Sequence, residues 1–450
     1  MTTAQEDTAM AVDTNTLNDE ILLAATNHDL EALRKLLRTG SARIQDPETG
    51  FSPLHAAIAS CEADSNLNEE AGVDGEGDAV HSNALEEEAA LATVQLLLEN
   101  GAIWNDLDKN DETPGCIALR MGLKKVYRAI VTAGVMAELL FSRLDEYDLL
   151  PDNDEDEEME DDDAVVGMDP TPSGSAGTTS NGQSNGGASA VDGFEPVPNP
   201  PTVPEVVQTD ENGDQTAPEV VLSNPNVNNQ DYLKSELIYS PGRLLDSDKN
   251  AVMMDWETEI MKASADKLCP KEGLRTMNIG HGMGIVDTMF LANNPQMHYI
   301  VEAHPAVQKH MRETGWYDKP NVTVCEGRWQ DVLPKLAEQG VVLDALYYDT
   351  YAEDYSDLKE LFEEHCIALI DRNGKFGFYN GLGADRQICY DVYTEVAEEH
   401  LKNAGFDVEW TVLQVPNLKG EQDPGASWTG IRRSYWEVPE YRLPTCTWVG

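Results

Sequence analysis

NIGHGMGIVD (278–287), read together with Glu302 and the run YYDTY (347–351), decides what this chain folds into. The pattern predicts a strand ending at Ile279, after which Gly280, Gly282 and Gly284 turn the chain into a helix. Glycines at such a turn let the backbone pass close to a bound cofactor, where a Cβ would collide with it. Nucleotide-binding sheets place an acid at the end of the next strand, about 20 residues on, to grip ribose hydroxyls. Glu302, in YIVEAH, occupies that place, and Asp349, the first acid after a later strand, faces the same crevice. This is the pattern of a nucleoside-cofactor site with an acidic substrate wall.

Outward from that loop the sequence alternates strands and helices, as an α/β sheet requires. Strands are expected at 274–279, 297–303, 321–327, 343–349, 375–380 and 408–415, with a last one near SYWEVPEY (434–441). Helices are expected at DLKELFEEHCIALI and ADRQICYDVYTEVAEEHLKNAG, and none separates the last two strands, which predicts a closing antiparallel hairpin. The glycines are spaced G-x-G-x-G. Ile285 stands where the dinucleotide fingerprint needs its third glycine, and no P-loop Lys-Ser/Thr is present. A seven-stranded doubly wound sheet with this loop and Glu302 resembles the class I S-adenosylmethionine methyltransferases.

Before this region lies a segment of different composition. The acidic run 152–163 leads into Gly/Ser-rich and then Pro-rich sequence, too poor in apolar residues to offset the entropy of ordering. Residues 151–223 are therefore expected to be a disordered linker between a domain at 1–150 and the sheet domain at 224–450. The N-terminal part contains GFSPLHAA (50–57), which resembles the T-P-L-H-x-A signature of ankyrin repeats, with Ser52 as helix cap and Pro53 in the first turn. The pattern returns at ETPGCIAL (112–119), where Gly115 and Cys116 replace Leu-His. Pro53 and Pro114 lie 61 residues apart, so the acidic stretch from about 61 to 88 reads as an insertion in a small all-α ankyrin-like stack. Such a stack either binds protein or caps the sheet domain.

The chain carries 82 Asp plus Glu against 31 Lys plus Arg, a formal net charge of -51. That surface repels nucleic acid and anionic lipid and favours basic proteins as partners. Seven scattered cysteines show no CxxC pair or zinc spacing, and read as reduced intracellular thiols. The polar N-terminal residues resemble no secretory or transit signal, and no apolar run is long enough to span a bilayer. The expected location is the cytoplasm and nucleus.

A narrower likeness follows from DWETEIMKASA (255–265), NIGHGMGIVD, YIVEAHPAV, EGRWQDVLPKL (326–336) and LYYDTYAED (346–354). These resemble guanidinoacetate methyltransferase across its catalytic domain. With the ankyrin-like region and acidic linker, the chain resembles the fungal protein arginine N5-methyltransferases (type IV). The resemblance implies S-adenosylmethionine as cofactor and a basic, ribosomal protein as substrate. It assigns Gly280, His281, Gly282, Met283, Gly284, Ile285 and Asp287 to the methionine half of the cofactor. Glu302, Ala303 and His304 go to ribose and adenine, and Trp329 and Gln330 border the adenine. Met261 and Asp349 match cofactor contacts, and Tyr239, in IYSPG, matches an aromatic lid.

The same resemblance assigns Glu257 and Asp349 to the substrate guanidine, a planar fork of donors that carboxylates grip bidentately. If both acids engage the terminal nitrogens, the internal, alkyl-bearing nitrogen is left to react; in arginine that is the δ nitrogen, N5. Either acid is placed to take the proton, with Tyr348 and Tyr351 as candidates to orient them. The segment after Asp349, AEDYSDL, departs from the small-molecule enzyme at the pocket rim. The double-glutamate loop and Thr-His-Trp segment of ω-arginine methyltransferases are absent. Two alternatives remain at this stage: a small-molecule guanidine methyltransferase, and an inactive scaffold that binds through its repeats.

Overall fold

The computed structural model describes residues 14–61, 76–148, 229–418, 428, 430–432 and 434–450. The expected linker (151–223) and part of the expected insertion (62–75) lie outside these residues. Six helices come first: α1 (Thr14–Thr26), α2 (Leu30–Leu36), α3 (Pro53–Ala59), α4 (Glu76–Glu99), α5 (Pro114–Arg120) and α6 (Lys124–Asp148). Residues 76–88 of the expected insertion therefore belong to a helix. Both short helices that start with proline are capped from the preceding residue. Thr113 Oγ1 accepts from Cys116 N at 3.2 Å. Ser52 N donates to His55 Nδ1 at 3.1 Å, which leaves His55 Nε2 to reach Glu112 O at 3.1 Å.

A short helix α7 (Asn229–Tyr232) and a small antiparallel sheet follow, β1 (Ile238–Ser240), β2 (Arg243–Leu245) and β3 (Ala251–Met254). Then come α8 (Thr258–Leu268), β4 (Arg275–Ile279), α9 (Ile285–Ala292), β5 (Met297–Glu302), α10 (Pro305–Glu313), β6 (Val322–Glu326), α11 (Trp329–Glu338) and β7 (Leu343–Tyr348). The rest is α12 (Tyr355–Glu360), α13 (Cys366–Leu369), β8 (Ile370–Phe378), α14 (Gln387–Asn403), β9 (Phe406–Gln414) and β10 (Glu440–Trp448). The large sheet has the order β6-β5-β4-β7-β8-β10-β9. Its first five strands pair in parallel, and β10 enters antiparallel to both β8 and β9. In register, Ile279 lies beside Val301 and Tyr348, and Glu302 beside Glu326, so four strand ends share one edge. The order reverses at β4, which opens the crevice where ligands enter such sheets.

Two expectations shift. The last strand is not at 434–441 but at 440–448, because Trp436 turns inward: it is 1% exposed and its Nε1 donates to Val438 O at 2.7 Å. The helix expected at DLKELFEEHCIALI is divided into α12, a π turn (Leu361–His365) and α13.

The N-terminal helices and α14 share one core. Ile388, Cys389, Val392 and Val396 of α14 are buried with Trp104, Ile117, Val126, Ile130 and Val131. A Cβ on Gly115 would lie 2.5 Å from Ile388 Cγ1, and one on Gly134 would lie 2.8 Å from Val392 Cγ2. The glycine that looked like decay of a repeat is what lets α5 approach α14. Tyr127 Oη donates to Asp391 Oδ2 at 2.6 Å, and Arg128 pairs with Glu395.

Candidate active site

The strand ends build an open cleft of about 590 Å³. Of the residues expected at the site, Gly280, Gly282, Glu302, Ala303, Trp329 and Asp349 line it. Gly280 has φ +94°, and a Cβ there would sit 1.9 Å from Asp349 O. Only glycine allows β4 to turn this close to the end of β7. Gly280→Ala is accordingly expected to displace the loop carrying Asp349, reducing both cofactor binding and turnover, as calorimetry and initial rates would record.

Glu302 is buried. Its Oε2 accepts from His281 N at 2.8 Å and its Oε1 from His304 N at 2.7 Å. Burial raises its pKa, and those two peptide N–H groups oppose the rise. Each oxygen keeps a lone pair, which suits a cis-diol. At the end of β6, Arg328 and Trp329 face the cleft, and Arg328 Nε is shielded from water without a partner. Over the loop, Met253 lies 3.0 Å from where a Gly282 Cβ would be, and Tyr239 Oη donates to Gly282 O at 3.1 Å while its ring stacks on His310. These groups fit a nucleoside with a flexible tail across the loop.

Several expected residues lie elsewhere. His304 caps α10 through Nδ1, accepting from Ala306 N at 3.1 Å, and its Nε2 donates to Tyr232 O at 2.9 Å. It thereby anchors α7 instead of facing the cleft. Met261 is buried in α8 under the sheet, with Tyr347 Oη 3.7 Å from its sulfur. Gln330 bonds Asp357 at 3.2 Å, and Met283 N meets Met253 Sδ at 3.4 Å. The side chains of His281 and Asp287 are buried in the core, and Gly284 and Ile285 open α9 without lining the cleft.

The two acids expected to hold the substrate differ in surroundings. Glu257 is 4% exposed; its Oε1 accepts from Tyr435 Oη at 2.7 Å and its Oε2 from Met254 N at 3.3 Å. Burial pushes its pKa to about 7, against the pull of Tyr435, Met254 and Tyr379. Asp349 is raised well above the usual carboxylate range, first by burial and then by the charge of Glu257. Its Oδ2 is shielded from water and has no partner. Asp349 lines the cleft with a free oxygen and feels the charge of Glu257, which itself does not line the cleft; together they offer negative charge to a cation entering beside Asp349.

The aromatics around these two acids were not foreseen. Tyr435, not Tyr348, orients Glu257 through a hydrogen bond. Tyr348 donates to Glu353, which also receives Trp329 Nε1 at 3.2 and 3.1 Å. Glu353, with Thr350, Tyr351 and Asn229, also lines the cleft, and its pKa is raised by burial. The LYYDTYAED stretch and the rim segment AEDYSDL pointed toward this segment without giving Glu353 a role.

A doubly wound sheet with an antiparallel end and a cofactor crevice at its switch point is a class I methyltransferase fold. A family model described as guanidinoacetate N-methyltransferase matches residues 242–423. Protein arginine N-methyltransferase 2 of Aspergillus fumigatus is 49% identical over 433 residues, 95% of each chain. That of Emericella nidulans is 46% identical over 457 residues, 98% of this chain and 99% of the relative. The solved precorrin-6y C5,15-methyltransferase of Geobacter metallireducens is 17% identical, covering 42% of this chain and 88% of that one with a TM-score of 0.30. The chain belongs to the protein arginine N-methyltransferase 2 family.

Proposed function

We propose that this protein transfers a methyl group from S-adenosylmethionine to the δ nitrogen (N5) of arginine in a basic protein, in the first instance a ribosomal protein, in the cytoplasm and nucleus. The observation that carries this reading is the unpartnered Asp349 Oδ2 in the cleft, within the electrostatic reach of Glu257. Gly280 and Gly282 would hold the methionine end of the cofactor, Glu302 the ribose, and Arg328 with Trp329 the base. When bound, it supplies an electrophilic methyl on a sulfonium.

The chain's own residues do the rest. Glu257 and Asp349 grip the terminal nitrogens of the guanidinium, leaving the alkyl-bearing nitrogen to face the cofactor. Positioning of this kind can supply about 7–11 kcal/mol of a barrier. Glu257 already accepts hydrogen bonds on both oxygens, which makes it the anchor. Asp349 Oδ2 is free and has the raised proton affinity of a base, so it takes the N5 proton as the N–CH₃ bond forms.

A pH dependence follows. Both acids must be ionised to hold a guanidinium, and Glu257 titrates near 7. kcat/KM for the guanidine substrate is expected to fall as pH drops below about 7, whereas a flat profile from pH 6 to 8 would oppose the paired-acid socket. In stability the sign is opposite. An acid raised from 4.5 to about 7 binds more protons when folded. The unliganded protein therefore loses stability as pH rises across that interval, and the penalty persists above it.

We read the N-terminal helices as a short ankyrin-like stack. The supporting features are the two Ser/Thr-Pro caps, the bridge from His55 to Glu112 O, and that from His28 Nε2 to Ala57 O at 2.8 Å. One face is consumed by α14; the exposed turns at 47–49 and 109–111 are the edge left for a protein partner. The test of the substrate class is competition between a basic ribosomal-protein fraction and guanidinoacetate for labelled methyl. Label on protein supports the reading, and label on guanidinoacetate alone overturns it.

A further inference from the structure

Four polar side chains from four different segments join in a buried chain beside the glycine-rich loop. Thr276 of β4 lies 2.7 Å from His298 Nδ1 of β5, and His298 Nε2 lies 2.8 Å from Asp287 Oδ1 of α9. Asp287 Oδ2 lies 2.6 Å from Nδ1 of His281, in the loop itself. None of the four is more than 1% exposed, and none lines the cleft. An ionised carboxylate only accepts, so each imidazole gives it one N–H, and the Thr276 hydroxyl donates to the remaining nitrogen of His298. Burial opposes the charge on Asp287, but the two imidazoles outweigh it and hold its pKa at about 2. The edge of Trp316 meets the His281 ring, and Phe290 lies beside His298.

The loop end of this chain is tied to the cofactor site by a different atom of the same residue. While the His281 imidazole is pinned inside, its peptide N–H donates to Glu302 Oε2 at 2.8 Å. Rotation of that peptide would cost Glu302 a peptide donor and loosen the hold on its carboxylate at the cleft. Charged hydrogen bonds in a dry site are strong, so Asp287 is a stiff anchor for the loop.

We propose that Asp287, backed by His298 and Thr276, is a positioning residue that clamps His281 so that the loop and Glu302 are set for the cofactor before it arrives. The gain is preorganisation: an unclamped loop must be ordered at the expense of binding energy. The role rests on S-adenosylmethionine being the ligand of this cleft. It differs from direct contact, because these side chains support the loop without reaching the ligand.

The test measures binding of S-adenosylhomocysteine by calorimetry, together with melting temperature and steady-state kinetics, on the full chain. Asp287→Asn, which cannot accept from both imidazoles, is expected to weaken binding about tenfold or more, with the kinetic loss falling in the cofactor KM rather than in kcat. At the loop end, His281→Asn keeps an N–H near the position of Nδ1 and is expected to retain binding, whereas His281→Leu is expected to lose it. That pair decides the matter if Asp287→Asn does not fold. Affinities within twofold of the unsubstituted chain in every folded variant, or equal losses for Asn and Leu at 281, would overturn the clamp. Failure of the unsubstituted chain to bind S-adenosylhomocysteine at all would instead overturn the cofactor reading beneath it.

Discussion

Asp349→Asn is expected to lower kcat for arginine methylation by about 10²–10⁴-fold, the usual range for loss of a positioned general base. Asparagine preserves the shape and the strand end, so the cleft keeps its lining. It removes the negative charge that faces the guanidinium, and its amide cannot take the N5 proton. The unpartnered Oδ2 is the atom at stake. The same substitution relieves the repulsion that Glu257 exerts on this site, so melting temperature at neutral pH should hold or rise while turnover collapses. Initial rates at saturating cofactor, beside a thermal melt, separate the two effects. An unchanged kcat would remove Asp349 from the chemistry.

Removing residues 1–150 is expected to cost the protein its soluble, cooperative fold. A detachable substrate-binding arm would leave the sheet domain intact, but α14 is buried from both sides. Ile388, Val392 and Val396 are at most 2% exposed, and returning each to water costs about 1.5–3 kcal/mol. Asp391 would lose Tyr127, keeping Gln387 and Arg442. Against a typical total stability of about 5–15 kcal/mol, those losses are decisive. A gentler variant tests the same contact. Gly115→Val would force a branched side chain into Ile388 and is expected to destabilise by about 1–3 kcal/mol, seen as a lower melting temperature. A fragment 224–450 that melted cooperatively at the parent temperature would contradict the shared core.

What could be read in advance followed from how strictly each position is constrained. The parallel strands were legible because strands covered on both faces are short apolar runs, as in MHYIVE and LDALYY. Gly280, Glu302 and Asp349 were legible because a switch-point crevice fixes their order along the chain. Side-chain direction was not. His281, Asp287 and His304 sit in the loop, the helix start and the strand end where they were expected, yet their side chains are buried, since spacing locates a residue without saying where its side chain turns. The sheet β1–β3 went unseen because strands of three or four residues are too short to show a period. The last strand was placed too early because SYWEVPEY alternates like a strand while Trp436 folds it into the core. The seat of the N-terminal helices was hidden because Ile388, Val392 and Val396 read as the ordinary apolar stripe of an amphipathic helix.

The central claim is geometric: two acids hold the terminal nitrogens, so the internal nitrogen reacts. The most direct test is fragmentation mass spectrometry of a peptide methylated by the full-length chain with S-adenosylmethionine. A fragment retaining the methyl on the δ nitrogen, with both terminal nitrogens lost unmethylated, is the expected result. A methyl on a terminal nitrogen would contradict it, and would mean that Glu257 and Asp349 hold the guanidinium another way round.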